Sequence, residues 1–138
     1  MTTWLIDTAL FKALAPGGAT SVRDWLKTNE ASIFLSAASL VELSAAIART
    51  PESQNQRRKA MRAWLDGLVM KYADRIHPVD LQIAVRAGAL MSNLTAGPPR
   101  HRFHDATLVA TAQIHGHGLL TKREAIFGSW TKLPIEIF

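Results

Sequence analysis

Three carboxylates, Asp7, Glu42 and Asp105, each stand beside a short apolar run: Leu5-Ile6-Asp7-Thr8, Leu40-Val41-Glu42-Leu43 and Asp105-Ala106-Thr107-Leu108-Val109. Brought to one place, such groups repel one another unless a cation or shared protons relieve the charge. A hard divalent ion is the economical relief. Mg2+ or Mn2+ takes oxygen ligands, orients a phosphodiester and activates water near neutral pH, so neither a histidine base nor a covalent nucleophile is needed. Three acids picked from eleven by spacing alone carry little weight; their local sequences carry more. The histidines offer a competing centre, because His101, His104, His115 and His117 flank one helical stretch and His101 lies one turn from Asp105. Helix termination explains His115 and His117 as well, since they bracket Gly116 and Gly118 and place imidazoles at the negative end of a helix. Arg100, His101 and Arg102 are candidates for phosphate contact at a helix N-terminus, against the plainer reading of a solvated loop.

The surrounding elements must bring the acids together. Thr3 to Ile6 reads as a strand that ends at Asp7, with helical composition in Ala9 to Ala15 and a break at Pro16-Gly17-Gly18. Asp24 to Leu26 belongs to a second short helix, Ile33 to Leu35 to a second strand, and Ser36 or Ser39 is placed to cap the helix of Glu42. From Glu52 to about Ala73, Met61, Trp64, Leu65, Leu68 and Tyr72 recur at helical spacing. On that helix Arg57-Arg58-Lys59 and Arg62 form either an RNA-docking stripe or a wet face. Ile76 to Val79 is a third strand, Asp80 to Leu94 a helix stopped by Gly97-Pro98-Pro99, and His101 to His115 an alanine-rich helix ended by Gly116 to Gly118. Leu119-Leu120-Thr121 and a stretch within Leu133 to Ile137 complete the strands. Strands that alternate with helices predict an α/β fold, a mainly parallel sheet covered on both faces, with ligands collecting at the carboxyl ends of its strands.

Composition bounds the rest. At 138 residues and 48% hydrophobic, the chain fits one domain spanning 1–138 and no second one. The formal charge of +5 suits a polyanionic partner without requiring one. With no cysteine, disulfides, thiolate zinc sites and cysteine nucleophiles are excluded, and a reducing cytoplasm is the natural compartment. The most apolar stretch, Ile33 to Ala48, is broken by Glu42 and serines and falls short of the roughly 20 residues a membrane span needs, and the first residues do not form a secretory signal. Trp4, Trp25 and Trp64 sit in apolar patterns that mark core; Trp130 is the least certain of the four.

In order and character, Leu5-Ile6-Asp7-Thr8, then Leu35-Ser36-Ala37-Ala38-Ser39-Leu40-Val41-Glu42-Leu43, then Asp105 to Ala112 leading into His115-Gly116 and Leu119-Leu120-Thr121, are similar to the motifs of bacterial PIN-domain toxins of the VapC type. The resemblance spans nearly the whole chain. It implies a PIN-like three-layer α/β/α sandwich and Mg2+- or Mn2+-dependent cleavage of RNA. It further implies a homodimer and inhibition by a cognate antitoxin whose tail occupies the active groove. By motif match Asp7, Glu42 and Asp105 become the catalytic metal ligands, with Thr8 and Ser39 as hydroxyl partners of the acids or as ordinary caps. Two positions depart from relatives. Where many have Asp-Thr-Asn the chain has Asp7-Thr8-Ala9, and where many have Thr-Arg-Asn-x-x-Asp-Phe it has Thr121-Lys122-Arg123-Glu124-Ala125-Ile126-Phe127. An arginine thus replaces an amide and Ile126 the fourth acid. Thr121 is expected to end its strand beside the site, Arg123 to face phosphate, and Glu124 to make at most a water-mediated contact. The alternative to an endoribonuclease toxin is a catalytically weak module that keeps the fold, binds an antitoxin and serves operator binding and autoregulation. A structure-selective DNA nuclease is a third reading, disfavoured because such enzymes usually carry more acids and longer insertions.

Overall fold

The computed structural model describes residues 2–15, 20–92, 99–123 and 135–137. Strand β1 (Trp4–Ile6) leads through helices α1 (Thr8–Leu14) and α2 (Thr20–Thr28) to β2 (Ile33–Ser36). Helices α3 (Ala37–Ala48) and α4 (Asn55–Lys71) then lead to β3 (Ile76–His77), and α5 (Leu81–Met91) and α6 (Pro99–His115) to β4 (Gly118–Thr121), with β5 (Ile135–Ile137) last. The sheet runs β3-β2-β1-β4-β5 and every described pairing is parallel. After β1 the chain builds outward to β3, then returns to the other side of β1 for β4. This reversal of strand order opens a crevice at the carboxyl ends of β1 and β4, where open α/β sheets bind ligands.

Alternation along the strands decides which layer each side chain joins. Ile6, Ile33, Leu35 and Leu120 pack with Phe11, Leu26, Leu43, Leu65 and Tyr72 under α1 to α4, and Trp4, Trp25 and Trp64 lie against that core. Leu5 and Leu119 face the other way, onto Leu108, Val109 and Ala112 of α6. Helix α6 in turn carries Ala106 and Ala110 against Ile83 and Ala87 of α5. Burial on both sides explains why α6 is made of small residues. Thr107 and Thr111 remain satisfied inside it by donating to the carbonyls of Phe103 and Thr107, at 2.7 Å each.

Local chemistry sets the boundaries. Ser36 caps α3, its hydroxyl accepting from the backbone N–H of Ala38, while Ser39 lies inside the helix. Asp80 caps α5 by accepting from Ile83 N–H at 2.9 Å, so it precedes the helix rather than belonging to it. Strand β3 is shorter than the Ile76 to Val79 expected, because that cap turns the chain. Pro99 opens α6 rather than stopping α5, in keeping with the tolerance of a first helical turn for proline. At the other end of α6, Gly116 takes φ +73° and lets His117 N–H close onto the Ala112 carbonyl at 2.9 Å. Arg57, Lys59 and Arg62 are exposed on α4, as either a docking stripe or a wet face would be. No helix among the described residues is long and apolar enough to cross a membrane. Glu124, Ile126, Trp130 and Gly97-Pro98 lie outside the described residues, as do the side chains of Arg100 and His101.

Candidate functional site

Asp7 sits at the end of β1, where its N–H still completes the ladder to the Leu120 carbonyl at 2.9 Å before α1 begins. Thr121 ends the neighbouring strand, and its hydroxyl donates to Asp7 Oδ2 at 2.8 Å. Asp105 arrives from the second turn of α6 and Glu42 from α3. Asp7 and Asp105 are almost entirely buried, at 0% and 3% exposure, whereas the Glu42 side chain is 43% exposed. Asp7, Thr8, Ala9, Glu42, His104, Asp105 and Arg123 line a cleft of ≈ 160 Å3. A separate cleft of ≈ 390 Å3 lies between α2 and α4, lined by Leu26, Trp64 and Tyr72 among others, and has none of these acids.

The guanidinium of Arg123 bridges the two aspartates. Its Nε and Nη2 donate to Asp7 Oδ2 and Oδ1 at 2.8 and 2.9 Å, and its Nη2 and Nη1 donate to Asp105 Oδ1 and Oδ2 at 2.7 and 3.2 Å. Arginine can grip two carboxylates in this way because its donors form a rigid planar fork. The approach is set by the backbone, since Arg123 N–H donates to Thr121 Oγ1 at 2.9 Å and pins the turn that follows β4. Burial alone would pull the guanidinium's pKa down. The hydrogen bonds to Asp7 and Asp105 outweigh burial and hold it above its ordinary value. Arg123 therefore faces the acids, and not an incoming phosphate as its sequence position suggested.

A second network joins Glu42 to this centre. Thr8 Oγ1 lies 2.7 Å from both Ser39 Oγ and His104 Nε2, and His104 Nδ1 is 3.5 Å from Glu42 Oε1. A carboxylate only accepts, so the favourable tautomer carries its proton on Nδ1, towards Glu42. Nε2 then accepts from Thr8, and Thr8 accepts from Ser39. Burial is the main force lowering the pKa of His104, against the opposing pull of Glu42, Asp105 and Asp7, and it favours this neutral form. Thr8 and Ser39 are thus hydrogen-bonded to each other and, through Thr8, to His104, and Ser36 rather than Ser39 caps α3. Sequence reasoning considered His104 only for zinc; its place directly before Asp105, on the turn facing Thr8, was the available signal.

The donor chemistry suits a hard divalent cation: two buried carboxylates on adjoining elements already share one positive group, and the Arg123 guanidinium stands in for that charge. Among the described residues no group of three or more acid or histidine side chains is already gathered closely enough to hold a metal ion. The histidine zinc centre is also absent from that set. His104 belongs to the acids, while His115 and His117 pack instead with His77 and Phe34.

A family model described as the PIN domain matches residues 5–127. Solved structures with the same fold include FitAcB from Neisseria gonorrhoeae, at TM-score 0.80 and 20% identity over 96% of each chain. DNA-bound VapBC from Salmonella typhimurium follows at TM-score 0.78 and 18% identity, covering 99% of this chain and 98% of the other. VapBC2 from Rickettsia felis, bound to a DNA fragment from its promoter, gives 0.76 and 16% over 99% of each. No curated protein matches in sequence.

Proposed function

The chain belongs to the PIN domain family, and from that premise we propose that it is a metal-dependent endoribonuclease toxin of the VapC type, a single domain over 1–138 acting in the cytoplasm. The observation that carries the reading is the pair of buried aspartates, Asp7 and Asp105, sharing one cation at the carboxyl ends of β1 and β4, with Glu42 on the rim of the same cleft. Asp7, Asp105 and Glu42 would hold Mg2+ or Mn2+, which when bound would supply a Lewis acid for an RNA phosphodiester and a nucleophile at neutral pH. Thr121 orients Asp7 by donating to Oδ2, and His104 orients Glu42 through its Nδ1 edge. Thr8 and Ser39 continue the hydrogen-bond chain from His104 Nε2. An antitoxin partner is supported by solved neighbours that are toxin–antitoxin complexes, and a homodimer by the family resemblance.

One observation favours a second reading. Arg123 is hydrogen-bonded to both aspartates, and relatives' fourth acid is replaced by Ile126, so a weakly catalytic module devoted to antitoxin and operator binding would carry the same residues. Incubating the purified chain with RNA and with DNA, each with Mn2+ or with chelator, separates the readings. Cleavage of RNA only, and only with metal, is the expected outcome. Cleavage of DNA alone would favour a DNA nuclease, and no cleavage of either the second reading.

A further inference from the structure

We propose that Arg123 is a resident counterion of the acidic centre, which a divalent metal must displace, so that this one side chain sets the metal affinity of the protein. The inference rests on the metal-dependent reading of Asp7 and Asp105. Both oxygens of each aspartate accept an N–H from the Arg123 guanidinium, at 2.7 to 3.2 Å. The oxygens an ion would use are therefore turned towards a cation that is already there. Two positive groups within a few ångströms in a buried setting repel strongly, because the low local dielectric screens them little. The contact is also built in. Thr121 accepts from Arg123 N–H and donates to Asp7, so strand end, turn and side chain are fixed together and the guanidinium is delivered to the carboxylates. The Arg123 side chain is 27% exposed while Asp7 is fully buried, so of the two it is the group that solvent reaches.

The charge count agrees. Two aspartates against one guanidinium leave one negative charge uncompensated, so the centre retains an attraction for a dication while charging a displacement cost for it. An amide at position 123 can neither neutralise nor bridge the pair. Metal-free, such a chain holds two buried carboxylates without a cation, and its demand for metal rises accordingly.

The test is Mn2+ binding to the full metal-free chain, read from the paramagnetic resonance signal of free Mn2+, alongside thermal melts with and without Mn2+. Arg123→Asn should bind Mn2+ at least tenfold more tightly than the wild type. It should also melt lower than wild type without metal and gain more in Tm when Mn2+ is added. The gain should vanish in the Asp7→Asn/Arg123→Asn double variant, which places the ion at this centre. Arg123→Lys, which keeps a charge but loses the fork, should fall between the two and serves if the asparagine variant does not fold. Wild-type affinity equal to that of the variants, or no Mn2+ binding in any of them, would overturn the proposal. RNA cleavage measured in parallel keeps the two readings apart. An Arg123→Asn chain that gains metal but cuts nothing leaves this inference standing and removes the nuclease, whereas a wild type that binds Mn2+ as tightly as Arg123→Asn and cuts RNA does the reverse.

Discussion

Asp7 carries two duties that a single substitution can separate: it supplies charge to the acidic centre, and it anchors Arg123 and Thr121. In Asp7→Asn the remaining Asp105 and Arg123 form a neutral pair, so the buried centre does not gain net charge and the fold should survive. Cleavage should fall by more than the roughly 10- to 100-fold typical when an outer partner of a metal ligand is lost. A folded variant with wild-type turnover would remove Asp7 from the machinery. His104→Ala should behave as the loss of an outer partner, costing activity within that same range, and His104→Asn should recover part of it if the Nδ1 contact to Glu42 is what matters. Equal loss in both would assign His104 to packing. The three acids were legible because each is embedded in a short local pattern that survives without knowledge of the fold. The direction of Arg123 was not. Its register after Thr121 fits a side chain facing solvent phosphate as well as one folded back on Asp7, and the structure has the second, with the guanidinium hydrogen-bonded to Asp7 and Asp105.

Helices α1 and α3 start where β1 and β2 end, whereas α6, which brings His104 and Asp105, follows α5 in the chain. Ser36 is fully buried and caps α3, which bears Ser39 and Glu42. Ser36→Ala should destabilise the chain by about 1 kcal/mol, measured by denaturant unfolding; an unchanged midpoint would mean that the cap contributes nothing. Away from the acids, the last turn of α6, the link from it to β4 and the end of β3 bring three imidazoles together. His77 and His115 stack at 3.7 Å between ring centroids, and His77 Nε2 lies 2.8 Å from His117 Nε2. Burial, then the neighbouring His77 and His115, push His117 down to about 4, and burial and His115 also lower His77 despite the opposing charge of Asp80. An unfolded histidine titrates near 6.5. Between about pH 6.5 and 4 the unfolded chain therefore takes up a proton that the folded chain refuses, so stability is complete above that window and lost as pH falls through it. Melting temperatures across pH 7 to 4 should decline, and His117→Asn should flatten the decline; a slope unchanged by the substitution would count against the cluster. The strands and helices were readable from alternation and helical spacing, and misplacements fell at capping residues. Asp80 looks the same in composition whether it ends one element or opens the next, and the Ile83 N–H that it accepts from distinguishes the cases.

For the molecule as a whole, the relevant quantity is the net charge of +5, carried by sixteen Lys and Arg against eleven Asp and Glu. Part of the negative charge is not available to repel a polyanion, because Asp7 and Asp105 are buried and paired with Arg123. What an approaching polyanion meets is mostly the exposed basic surface, including Arg57, Lys59 and Arg62 of α4. Each phosphate neutralised by a protein cation releases condensed counterions, so affinity for single-stranded RNA falls with the logarithm of salt in proportion to the number of phosphates engaged. If about three phosphates are held, raising salt from about 50 to 200 mM should weaken binding roughly 20-fold. The measurement belongs on Asp7→Asn, which keeps its substrate intact during titration and adds one positive unit without touching the exposed face. Substituting Arg57, Lys59 and Arg62 together by Gln should then lower the slope only if α4 lies along the RNA path. A slope that is flat in both chains would mean that recognition does not run through phosphates and that the net charge serves something else.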